Sequence, residues 1–156
     1  MNFRKKVVVL VLGLAISGCA GHYHHPQETR SYLSDVEAMN TKRVTITKPK
    51  TVSQHLGPVE VCMSVTGYTV EPAKNGVNEG KGHHHLLIDT PMPENLDRPL
   101  GKDANHVHMG DGSSCKTLTL GPGPHTVRAV FAKGNHVPYN PAVTDAITIY
   151  IGRHLK

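Results

Sequence analysis

The sequence predicts an all-β domain, an immunoglobulin-like β-sandwich with Greek-key connections, on three observations. Short runs of alternating apolar and polar residues recur along the chain, and glycine- and proline-rich turns separate them. No long amphipathic helical stretch competes with them. The domain is placed at residues 43–152, behind a leader (1–18) and a short tether (19–42).

The strands are read in order. Val44-Thr45-Ile46-Thr47 is β-branched and ends before Pro49. Val59 to Val65 alternates strictly, so Val59, Val61, Met63 and Val65 face a core and Cys62 faces away. Residues 70–82 read as a loop, with Pro72, Gly76, Gly80 and Gly82. His84 to Ile88 is the next apolar run, followed by a proline-rich loop. His106-Val107-His108-Met109 alternates, then Gly110-Asp111-Gly112 turns the chain. Cys115 to Leu120 points Leu118 and Leu120 inward, and Gly121-Pro122-Gly123-Pro124 turns into a strand over 125–132. After a loop at 134–141, a β-branched strand over 142–151 closes the domain. Cys62 and Cys115 then fall on the second and fifth strands, which are neighbours in an immunoglobulin-like sheet. A cross-strand disulfide between them is one expectation and two separate thiols the other. Closing that loop would add about 3–4 kcal/mol in the chain-entropy model.

The tether, opening Gly21-His22-Tyr23-His24-His25-Pro26, has weak periodicity and room for a short helix over residues 31–39. Ahead of it, Arg4, Lys5 and Lys6 precede an apolar run from Val7 to Ile16. That layout is a secretory leader, and the run falls short of the about 20 residues a bilayer span needs. The segment Ile16-Ser17-Gly18-Cys19 resembles the lipobox of bacterial lipoproteins. The resemblance implies acylation of Cys19 and a membrane anchor through the N-terminal lipid. With Ala20 rather than Asp after the cysteine, it also implies an outer-membrane lipoprotein facing the periplasm. The chain carries +5, but three of those five charges sit in the leader, so the mature part carries +2 with histidine neutral. Such a balance excludes a nucleic-acid footprint, which needs a basic stripe.

All twelve histidines lie after the leader. In Gly82-His83-His84-His85-Leu86-Leu87-Ile88-Asp89, His83 and His85 share one strand face with Cα atoms about 6.6 Å apart. His106 and His108 repeat the spacing on a later strand. Two such pairs on neighbouring strands can aim four neutral imidazoles at one ion, a donor set that suits Cu or Zn. His83, His85, His106 and His108 are therefore the expected metal ligands. Asp89 is a further ligand or a ring-orienting partner, and His84, on the opposite face, packs inside or at a rim. The competing use of these histidines is a metal-free polar network in a module that docks onto an envelope protein. No G-x-S-x-G, H-E-x-x-H or phosphate loop is present, so no enzyme is expected.

Residues 80–89, the segment Asn105-His106-Val107-His108-Met109-Gly110, and the run from Thr117 through Gly121-Pro122-Gly123-Pro124-His125-Thr126 resemble a bacterial envelope family known only as a domain of unknown function. Its marks are a GHHHLLID-type motif, a later H-x-H pair and a Pro-Gly-x-His turn, and the resemblance spans residues 44–151. It implies that His83, His84, His85, His106, His108 and His125, with His136 and Tyr139, belong to one shared feature. Met109 stands here where an aromatic is usual, and Cys62 and Cys115 are departures from the pattern.

Overall fold

A computed structural model describes residues 41–50 and 53–153. The leader, Cys19 and the helix expected at 31–39 lie outside the described residues, as does most of the tether. The described chain is all-β apart from one 3-10 turn, Ala73–Asn75. Its strands are β1 (Arg43–Lys48), β2 (Ser53–His55), β3 (Val59–Thr66), β4 (Thr69–Val70), β5 (Lys81–Ile88), β6 (His106–Met109), β7 (Cys115–Leu118), β8 (Gly123–Ala132) and β9 (Thr144–Ile151).

Two sheets form. One has the order β1-β3-β7, and the other runs β2-β9-β8-β5-β4 with β6 also pairing β5. Alternation sets their inner faces. Val61 and Met63 of β3, Val127 and Phe131 of β8, and Ile147 and Ile149 of β9 belong to one apolar core between the sheets. Tyr150, between two core isoleucines of β9, points out and is exposed. Cys62 and Cys115 sit opposite each other on β3 and β7 and form a disulfide, with Cα atoms 4.0 Å apart. Cys62 is buried, contrary to an outward-facing reading, yet it stays outside the apolar core.

Two further strands depart from the sequence reading. Ser53-Gln54-His55 is polar and three residues long, and it pairs parallel with β9 in register Gln54↔Tyr150. Thr69–Val70, of which Val70 belongs to the stretch read as loop, pairs parallel with the start of β5. Neither carries a periodicity of its own; each exists because a longer strand offers it an edge.

Strand β5 positions the site. His84, Leu86 and Ile88 lie opposite Phe131, Ala129 and Val127 on the core side. His83, His85 and Leu87 occupy the other face, opposite Ala132, Val130 and Arg128. Seven consecutive residues from Gly82 to Ile88 are buried, so the outer face of β5 is covered as well. The segments 90–105 and 133–143 meet there, where the Leu100 N–H donates to the His136 carbonyl at 2.9 Å. Gly82 is required at its position, because a Cβ there would overlap the Ala132 carbonyl of β8.

Candidate metal centre

The outer face of β5 brings four histidines together: His83, His85, His108 and His136, each offering one ring nitrogen, all within 4.8 Å of one another. His85 pairs with His108 across the β5–β6 ladder, which puts the two rings on one face. Their ring centroids are 5.1 Å apart, and His83 lies 4.8 Å from His85 and 5.0 Å from His108. His136 arrives from the β8–β9 loop with its ring 4.6 Å from His108. Its backbone adopts φ 67°, in the left-handed region where non-glycine residues are uncommon. The loop holds it there, since its N–H donates to the Lys133 carbonyl at 2.8 Å while its own carbonyl accepts from Leu100.

The nitrogens are close enough to share an ion. His85 Nε2 lies 3.0 Å from His83 Nε2, which lies 3.2 Å from His136 Nδ1. A tetrahedral ion bound at about 2.0–2.1 Å sets its nitrogens about 3.3 Å apart, so these contacts need little adjustment. Hydrogen bonding alone serves the trio poorly. The His83 Nε2 carries either one proton or one lone pair, and it cannot make a good bond to both neighbours. Burial disfavours the charged form of His83 and His85, and a metal ligand must be neutral. It pushes His83 down to about 4 and His85 down to about 3, with neighbouring imidazoles adding to both effects. His108 is also lowered, by burial and then by His136 and Lys102. A cavity of about 230 Å³ opens above the cluster, lined by His85, Leu100, Gly101, Lys102, His108 and His136. Gly110 packs directly against the His108 ring, since a Cβ there would overlap its Cε1 and Nε2.

Two sequence-expected ligands are not in the cluster. His106 lies across from Leu87, one step further along β6, and its Nδ1 donates to the Asp103 carboxylate at 2.9 Å. Asp103 also accepts from the backbone N–H groups of Asn105 and His106, so the turn into β6 claims the ring before the cluster can. Asp89 faces neither the cluster nor an ion. At φ 51° it ends β5, and it takes the His125 Nδ1–H at 2.7 Å and the Thr126 N–H at 2.8 Å. The other His125 nitrogen lies 2.8 Å from the Gly121 carbonyl, so both ring nitrogens face acceptors, an arrangement that favours the protonated ring. The hydrogen bond to Asp89 outweighs burial and raises His125 above its ordinary value. Burial opposes the Asp89 charge, but His125 and Thr126 hold the carboxyl below its ordinary range. His84 takes the core side, its ring edge-on to Phe131 at 5.4 Å and both nitrogens buried without a partner among the described residues. His136 completes the four. Spacing could not have revealed it as a ligand, because it lies in a loop 28 residues beyond His108.

Among the described residues a second group, Glu60, Cys62 and Cys115, is equally close-set. Its sulfurs are joined to each other and offer no thiolate.

A family model described as a domain of unknown function, DUF4399, matches residues 61–152, which include all four clustered histidines. Among solved structures, the fibronectin(III)-like modules of CbhA from Clostridium thermocellum are similar at 12% identity and TM-score 0.43, covering 70% of this chain and 97% of that one. The endo-beta-1,4-mannanase from Thermotoga petrophila is similar at 14% identity and TM-score 0.45, covering 82% of this chain and 23% of that chain. No curated protein sequence matches the chain.

Proposed function

The chain belongs to the DUF4399 family, and for this member we propose a metal-binding role, in which His83, His85, His108 and His136 hold one late first-row transition-metal ion, copper or zinc. The observation that carries the reading is the convergence of four ring nitrogens within 4.8 Å on a covered sheet face. An all-imidazole set offers no oxygen donor, so it disfavours Mg, Ca and Mn, and affinity at such sites rises toward Cu. The role is binding rather than catalysis: buffering, delivery, or stabilisation of the fold by the ion. The leader pattern ending at Cys19 supports an outer-membrane lipoprotein with this domain in the periplasm. The strand order β1-β3-β7 facing β9-β8-β5-β6 supports an immunoglobulin-like Greek key as its frame.

A second reading makes the domain a metal-free structural or docking module of the envelope. One observation favours it. Metal-bound imidazoles usually give their second N–H to a carboxylate or carbonyl, whereas Nδ1 of His83 and of His85 is buried without a partner among the described residues. In this reading the tilted and edge-on rings pin two loops to β5 by packing alone. Calorimetric titration of the purified protein with Cu and Zn separates the two. Saturable binding of one ion, lost when His83 or His85 becomes Ala, supports the first. No saturable binding tighter than about 10 µM, about 7 kcal/mol, leaves the second.

A further inference from the structure

The proposed ligands are four neutral imidazoles, so a bound divalent ion would keep its full charge. A charge taken out of water needs compensation, and the ion dominates the electrostatics of its surroundings. The chain supplies little. Asp111 is the carboxylate with an electrostatic influence on His108, but it accepts the Ser113 N–H at 2.9 Å and, with Lys116, lines a pocket on another side of His108 rather than the cavity over the cluster. Asp103 is engaged by His106 and Asn105. Neither acid lines the cavity over the cluster.

That cavity has the opposite character. Among the described residues that line it, the one ionic side chain is Lys102, which is exposed. His85, His108 and His136 line it, while His83 does not, so an ion among the four rings would have its outward side toward this space. At about 230 Å³ it has room for several waters or a small polyatomic ion.

We propose that this cavity takes a small oxygen-donor anion, a carboxylate or inorganic oxyanion, as an additional ligand of the bound metal, with the Lys102 ammonium as its second partner. The inference rests on the metal reading above. The anion neutralises the charge that the four imidazoles leave, and the ion and Lys102 clasp it from two sides.

The test uses the full-length chain loaded with one equivalent of Cu(II), with stoichiometry checked by elemental analysis. Formate, acetate and phosphate are then titrated in turn while the visible and electron paramagnetic resonance spectra are followed. The expected result is a saturable spectral change with each anion, and an affinity weakened about tenfold in the copper-loaded Lys102→Gln protein. Copper that loads but gives spectra indifferent to all three anions overturns the inference and leaves the metal reading standing. An anion affinity equal in the two proteins removes Lys102 from the site and overturns the proposal as stated. Failure to load copper or zinc defeats the metal reading itself, and this inference with it.

Discussion

Replacing His136 removes the nitrogen that sits 3.2 Å from His83 Nε2 and leaves three donors. Altering a group that only orients a ligand already costs about 10–100-fold in metal affinity. Loss of a ligand should therefore cost at least about 100-fold, or about 2.7 kcal/mol. Replacing His106 by Ala removes a ring that is bonded to Asp103, and metal affinity should stay within about threefold, under about 0.7 kcal/mol. The assay is competition against a chelator of known affinity. His136→Asn is the preferred variant, because Asn tolerates the φ of 67° that the loop imposes and separates ligand loss from backbone strain. If His136→Asn binds as tightly as the parent while His106→Ala loses its metal, the cluster geometry described above is wrong.

Three other outcomes follow from particular contacts. Gly110→Ala should push the His108 ring out of line and weaken metal binding by about tenfold or more, since a displaced ligand costs at least as much as a lost orienting group. Changing Cys62 and Cys115 together to Ser opens a loop of sequence separation 53 and should lower stability by about 4 kcal/mol, read as a shift in the urea midpoint, with metal stoichiometry unchanged. An unchanged midpoint would mean that the disulfide constrains nothing. The Asp89–His125 pair fixes a pH window. His125 is raised from 6.5, so its contribution is full below that value and fades as pH rises through the folded pKa. Asp89 is lowered from 3.8, so its contribution is present above that value and fades as pH falls through its folded pKa. The parent should therefore gain most over His125→Gln between roughly pH 4 and 6.5, by no more than about 1 kcal/mol because Asp89 is partly exposed. A gain that instead grows from pH 7 to 9 would reverse the assigned charge state.

Much of the frame was legible because alternation has a physical cause. Ile147, Ile149 and Ile151 can bury themselves only if Thr148 and Tyr150 between them point outward. The same rule separates His83 and His85 from His84, since a strand cannot turn three consecutive side chains to one face. What spacing could not supply was the competition for each ring. His106 has the right period, but Asp103, three residues earlier, folds the turn around its own carboxylate and captures the imidazole first. The signal for this was local, an Asp placed to cap the turn, and it outweighs the strand pattern. Asp89 was similarly ambiguous until the β8 strand brought His125 alongside it. His136 depends on a loop whose path is set by tertiary contacts with Leu100 and Lys133, and such contacts leave no periodic trace. Strand β2 has none either, because its three residues gain their order from the edge of β9.

X-ray absorption on the zinc- or copper-loaded protein tests the central claim most directly. The account predicts a first shell of nitrogen at about 2.0–2.1 Å for zinc, with outer-shell scattering from three to four imidazole rings. That scattering should fall by about one ring in His136→Asn and stay constant in His106→Ala. A first shell made mostly of oxygen, with one imidazole or none, would contradict it.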